Sequence, residues 1–166
     1  VRLLEDAGCR VSVPRTQSCC GQPAYNSGDE FNSTSIARQV IAAFERFEYV
    51  VVPSGSCAGM IREHYSRLFA KEFNWLQRAN GLADKTFELT QFLVEVLGVD
   101  RVNAAYNEVC TYHDSCAGLR ELGVWEQPRK LLVTVDGLEL DEMKDPDVCC
   151  GFGGLFCVKY PDISSR

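Results

Sequence analysis

Apolar residues recur along this chain with two different periods. In "NSTSIARQVIAAFERF" (Asn32 to Phe47), Ile36, Val40, Ile41, Phe44 and Phe47 follow cap-forming residues at helical spacing, which predicts an amphipathic helix. "EYVVVP" follows as a continuous apolar run closed by Pro53, the signature of a short buried strand. "SCAGMIREHYSRLF" reads as helix, and so does "LTQFLVEVLG", with Leu89, Phe92, Leu93, Val96 and Leu97 on one side and Gly98 as the stop. "EVCTYHDSC" (Glu108 to Cys116) reads as a strand running into a cysteine. Strands alternating with helices predict an α/β fold with mainly parallel sheets. The opening "VRLLEDAG" has the pattern of a helix's last turns, ending at Gly8.

Two segments overlay on each other. "RLLEDAGCRVSVPRTQSCCG" and "KLLVTVDGLELDEMKDPDVCCG" share a helix end, a glycine, an alternating strand, a polar turn and CCG. Gly8 precedes Cys19 by 11 residues and Gly137 precedes Cys149 by 12, so internal duplication is expected. The expected division is residues 1–100 for the first half and 101–166 for the second, two similar Rossmann-like units each truncated at one end. In this overlay Cys9 falls on Leu138, an ordinary core position, which assigns Cys9 to packing.

Composition narrows the function classes. With 166 residues and 46% hydrophobic content the chain can bury one ordinary core or two small ones. A net charge of −6 argues against nucleic acid, which selects a basic stripe. No apolar run approaches the roughly 18 residues of a membrane span. The expectation is a soluble cytoplasmic protein. The nine cysteines change that picture more than the charge does. An odd count without an export signal is a poor match to a disulfide framework, and adjacent cysteines form a strained ring if they bond to each other. Reduced thiolates held for metal or redox chemistry are the better reading.

"SCCGQP" (Ser18 to Pro23) and "VCCGFGG" (Val148 to Gly154) then suggest what the thiolates hold. Thiolates are soft ligands suited to zinc, copper(I) or iron–sulfur clusters. Structural zinc uses cysteines spaced by about two to four residues, whereas neighbouring cysteines point apart and serve two metal atoms more naturally. That favours a polynuclear cluster over a single zinc, which stays as the alternative. Gly21, Gly151, Gly153 and Gly154 would let the backbone approach closely, adopt positive φ and aim N–H groups at cluster sulfides. A phosphate cradle at "GFGG" is the lesser reading, because no Walker or dinucleotide pattern surrounds it.

A lone cysteine, a long spacer, CCG, a second long spacer and CxxC, present twice, is the pattern of the cysteine-rich CCG-domain family. The chain resembles that family over nearly its whole length, through "CCGQPAYNSG", "PSGSCAGMIREHY", "TYHDSCAGLRELG" and "DVCCGFGGLFCVKYPDIS". The family includes the CCG-bearing subunit of heterodisulfide reductase and the iron–sulfur subunits of glycolate and glycerol-3-phosphate dehydrogenases. The chain looks most like its lactate-utilisation protein A branch. The resemblance implies Cys19, Cys20 and Cys57 as ligands of one site and Cys116, Cys149 and Cys150 as ligands of a second. It implies [4Fe–4S] clusters, of the non-cubane kind in the reductase. It also implies an electron-transfer subunit of an L-lactate-oxidising assembly, with other iron–sulfur subunits as partners and glycolate as the rival substrate. A zinc-stabilised binding module without turnover is the alternative from a different class. One departure is informative: the expected CxxC reads Ser54-Gly55-Ser56-Cys57, so the first site lacks a thiolate and a simpler cubane, a zinc ion or no metal gains ground there.

The remaining reactive residues have ordinary readings beside functional ones. His113, three before Cys116, is a donor or proton carrier near the cluster, or a strand-end histidine bonded to backbone. His64 in "REHY" reads as a surface or capping residue. Cys110 and Cys157 lack counterparts in the other half and are assigned to packing. Arg120 is expected in a helix-face salt bridge, with an acidic substrate as the other possibility. No catalytic triad or paired-carboxylate site stands out, so hard redox chemistry would belong to a cofactor.

Overall fold

The computed structural model describes residues 1–165. Two parallel strand pairs organise the chain. β1 (Val50–Val52) pairs with β2 (Thr86–Glu88) in the register Val50↔Thr86. β3 (Val109–Cys110) pairs with β4 (Glu139–Leu140) in the register Val109↔Glu139, extended by a parallel bridge between Ala105 and Asp136. Parallel partners need a crossover, and helices supply it in both cases: residues 55–83 between β1 and β2, and residues 116–132 between β3 and β4. This is the α/β architecture expected from the alternation of periods.

Strand geometry decides which core each β1 residue joins. Successive side chains point to opposite faces, so Val50 enters one apolar cluster and Val51 another. The first cluster is built from Ala37, Val40 and Ile41 of the helix Glu30–Phe44, with Met60, Ile61, Tyr65, Phe69 and Leu82 from the crossover. Burying each such large side chain stabilises the fold by about 1.5–3 kcal/mol. The second cluster joins Leu4, Phe92, Leu93 and Leu131, and the third joins Ala58, Leu122 and Val124. Both of these draw residues from either side of position 100, so the expected boundary there does not separate two cores.

Several boundaries differ from the expected ones. The first long helix starts at Glu30, not Asn32, because Asp29 is the cap and accepts the Asn32 N–H at 3.1 Å. The crossover helix runs as Gly55–Gly59, a π turn Met60–His64 and a last α turn Tyr65–Leu68. The run beginning at Leu89–Gln91 likewise widens into a π turn, Phe92–Val96, and stops before Gly98 at φ 65°. The strand expected over 108–116 is only two residues long. Arg10 to Val13, the counterpart of β4 in the overlay, form no strand, since among the described residues no ladder partner lies beside them and Pro14 ends the segment. Among the described residues no helix is long and apolar enough to cross a membrane.

Candidate metal centres

The two CCG turns have the same local form. Gly21 has φ 85° and donates its N–H to Cys19 Sγ at 3.4 Å; Gly151 has φ 80° and donates to Cys149 Sγ, also at 3.4 Å. Only glycine adopts this conformation without strain. Both amides point at the first cysteine sulfur of their own turn. Gly154 also has positive φ, at 56°. Gly153 does not, so the conformational role assigned to it is withdrawn. A side chain at Gly151 would collide with the Ser164 carbonyl, and Ser164 Oγ donates to the Gly151 carbonyl at 2.6 Å.

The first set of cysteines is held by the core. Cys20 is buried, and Tyr65, fully inaccessible, donates its hydroxyl to the Cys20 carbonyl at 2.8 Å. Burial holds the Tyr65 phenol protonated, with the nearby Cys20, Cys19 and Cys57 sulfurs adding to the effect. Cys57 stands in the first turn of the crossover helix, where the Cys20 thiol hydrogen-bonds to it. That bond lowers the Cys57 pKa, as do the hydroxyls of Ser54 and Ser56, while the same bond and burial raise that of Cys20. Ser54, at the position where the family pattern has a cysteine, lies with its Oγ 3.2 Å from Ser56 Oγ.

The second set is exposed and tied together by backbone. Cys116 opens the helix Cys116–Leu122, whose cap Ser115 accepts the Gly118 N–H at 3.3 Å. Three bonds fasten this segment to the approach of the second CCG turn. Asp114 N–H donates to the Pro146 carbonyl at 2.9 Å, His113 Nε2 meets the Val148 carbonyl at 2.8 Å, and Arg120 reaches the Asp147 carbonyl at 3.4 Å. His113 thus makes the backbone bond, and Arg120 contacts a carbonyl in place of the expected helix-face carboxylate. Cys116 is raised by desolvation first and then by the adjacent Cys149, with which it shares a hydrogen bond, and by Cys150. Cys149 and Cys150 are exposed, not sunk among aliphatic side chains.

Sequence reasoning missed the group that holds this second segment. Asp114 is buried and makes a bidentate pair with Arg129, at 2.9 and 2.8 Å. Arg129 is further bonded to Glu142 and stands over the rings of Trp125 and Tyr112, 4.1 and 5.1 Å from their centroids. No residue spacing announces such a pair. The cap at Ser115 was also missed, although a serine just before a helix is its usual signal. Of the other cysteines, Cys9 packs in the second apolar cluster as expected, Cys110 lies half-buried in β3, and Cys157 donates to the Gly154 carbonyl at 3.0 Å. His64, read as a surface or capping residue, is half-buried: its ring lies tilted against Tyr25 at 4.9 Å and meets Glu121 at 3.4 Å.

All nine cysteines are free. Soft thiols in threes, close enough to shift one another's titration, are a donor set that fits iron–sulfur or zinc chemistry. Among the described residues no three cysteine, histidine or carboxylate side chains converge as a closed ion cage. The residues fit the group by chemistry, and the sets stand open.

A family model described as the cysteine-rich CCG domain matches residues 1–62 and 110–166. Among curated proteins, lactate utilization protein A 1 of Bacillus mycoides (strain KBAB4) is 49% identical over 166 residues, covering 100% of this chain and 68% of that protein. Lactate utilization protein A of Bacillus velezensis (strain DSM 23117 / BGSC 10A6 / LMG 26770 / FZB42) is 51% identical over all of this chain and 69% of its own length. That of Macrococcus caseolyticus (strain JCSC5402) is 51% identical over all of this chain and 67% of its own length. No solved structure gives a significant match.

Proposed function

The chain belongs to the cysteine-rich CCG-domain family, together with the lactate utilization protein A relatives, and from that premise we propose that it is an iron–sulfur electron-transfer subunit of an L-lactate-oxidising assembly. Cys19, Cys20 and Cys57 would hold one centre, and Cys116, Cys149 and Cys150 the other. The observation that carries the reading is the duplicated CCG turn, each with its glycine amide on a sulfur and its cysteines adjoining a third on a helix start. When bound, the clusters would supply one-electron carriers. The protein's own part is to hold the sulfurs and set their surroundings. Tyr65 fixes the first turn through the Cys20 carbonyl, and Ser54 and Ser56 place hydroxyl donors on Cys57. Hydrogen bonds to sulfur raise a cluster's reduction potential. His113 and Arg120 hold the second turn against the Cys116 helix. The partners would be other iron–sulfur subunits of the assembly.

Anaerobic purification followed by a visible spectrum and iron, sulfide and zinc analysis tests the reading. Clusters give a coloured protein that bleaches on reduction. A colourless protein with zinc in both sites would overturn it in favour of a metal-stabilised binding module, the reading that Ser54 in place of a cysteine favours for the first site.

A further inference from the structure

Apolar packing holds two sulfurs of the first set beside each other. Cys20 is 7% exposed and belongs to the largest apolar cluster, and half-buried Cys57 packs against that same cluster. Tyr65 is fully buried and bonds the Cys20 carbonyl at 2.8 Å, which fixes the turn from inside. Cys57 and Tyr65 ride on one crossover, Cys57 in the turn Gly55–Gly59 and Tyr65 opening the last turn Tyr65–Leu68. One packed unit thus brings both sulfurs together, close enough that each shifts the other's titration.

The surroundings make the pairing selective. Cys19 is exposed, its sulfur accepts the Gly21 N–H at 3.4 Å, and it has no comparable effect on Cys57. A bond from Cys19 to adjacent Cys20 would close a strained ring. Ser54 stands where the family pattern has a further thiol, and a serine oxygen forms no disulfide, so Cys20 is the near sulfur left to Cys57. The second set offers no such single choice: Cys116 stands beside both Cys149 and Cys150, and all three are exposed. Half-buried Cys57 can meet a small solute, whereas buried Cys20 meets Cys57.

We propose that Cys20 and Cys57 are a reversible dithiol–disulfide pair, which hydrogen peroxide joins in the metal-free chain and which bars metal from the first set until a dithiol reduces it. The Cys57 sulfur attacks one peroxide oxygen, the O–O bond breaks, and water leaves with the Cys57 proton, giving a sulfenic acid. The Cys20 sulfur then attacks the Cys57 sulfur, the S–O bond breaks, and a second water leaves with the Cys20 proton. The two thiols lose two electrons, and one peroxide becomes two waters. Such a pair goes beyond the electron-transfer reading, since it works the same way whether the set takes iron or zinc.

The test uses the full chain, reduced, stripped of metal by chelator and treated anaerobically with equimolar hydrogen peroxide. Free thiols are then alkylated, and non-reduced peptides are mapped by mass spectrometry, with fragmentation to tell Cys19 from Cys20. A Cys20–Cys57 crosslink is expected as the major product, reversed by dithiothreitol. In urea, where packing no longer selects partners, it should cease to be the major product. Cys19 joined to Cys57, Cys20 and Cys57 both alkylated, or the same crosslink dominating in urea overturns the pairing. Zinc uptake, read by elemental analysis after desalting, is expected to fall about twofold on oxidation, because one of the two sets loses its thiolates, and to return with dithiothreitol. Unchanged zinc uptake beside the crosslink overturns the bar to loading. Iron and sulfide in the anaerobically purified protein decide the cluster reading separately, so neither failure imitates the other.

Discussion

Asp114→Ala is expected to destabilise the whole chain although Asp114 is neither a proposed ligand nor part of the apolar core. The Asp114 side chain is 1% exposed and that of Arg129 15%, so both charges have left water and compensate each other through two bonds. The pairing raises Arg129 further above its ordinary range, so the guanidinium stays charged at any working pH. Removing one partner of a buried pair costs about 3–5 kcal/mol, because the other charge stays buried. Glu142 remains bonded to Arg129, and Trp125 and Tyr112 still flank it, which places the cost near the lower end, about 3 kcal/mol. For a chain of this size each kcal/mol moves Tm by about 2–4 °C, so a fall of about 6–12 °C is expected. Thermal unfolding followed by circular dichroism, with chelator present so that metal does not contribute, is the measurement. Asp114→Asn, which keeps one acceptor, should fall between. A shift under about 2 °C for Asp114→Ala would refute the reasoning, because the pair would then be contributing no more than an exposed salt bridge does.

Gly55→Ala should cost about 1–3 kcal/mol in urea unfolding, since its Cβ meets backbone of the neighbouring helix at 2.8 Å and cannot be accommodated by a rotamer change. Gly81→Ala, in the helix Phe73–Ala83 with nothing within 4 Å of the new Cβ, should instead stabilise by about 0.5–1 kcal/mol. In the reduced, metal-free chain, iodoacetamide should modify Cys57 ahead of the more exposed Cys116. The Cys57 pKa is lowered to about 6, so its thiolate is populated as pH rises through that value, whereas Cys116 is raised above 9.0 and gains thiolate only later; peptide mass spectrometry against pH gives the order. Cys150→Ser should reduce bound iron, while Cys9→Ala, in an apolar cluster, should leave the iron-to-protein ratio unchanged.

Periodicity carried most of the fold. The helix over 30–44 and the run starting at Gly55 were legible from their period, and β1 and the run starting at Leu89 from a burial pattern coupled to a stop residue, Pro53 and Gly98. What failed was anything that depends on a distant partner. Arg10 to Val13 alternate as well as the segment around β4 does, yet only the latter has a strand beside it, and a ladder needs two sides. Helix starts failed for a related reason: Asp29 and Asn32 are both good caps, and only the bond between them shows which one caps.

The cysteine sets divide along the same line. Spacing alone located the CCG turns, because their form is written in three consecutive residues and a glycine at positive φ. The surroundings of those turns were not legible, because each is fixed by a long-range contact. Tyr65 reaches Cys20 across 45 residues, and His113 reaches Val148 across 35. A polar residue in such a contact has no periodic signature, since its burial is compensated by one bond and not by a face of like residues. It follows that the two sets differ in a way the near-identical motifs conceal. The first turn is bonded through Tyr65 into the largest apolar cluster and should keep its form without metal. The second, with exposed Cys149 and Cys150, is held by bonds to carbonyls at 146–148 and by the C-terminal residues 161–164. Metal binding couples to local order most strongly where the apo chain has least of its own. Chelation should therefore raise amide hydrogen exchange around residues 146–157 and leave residues 19–26 little changed.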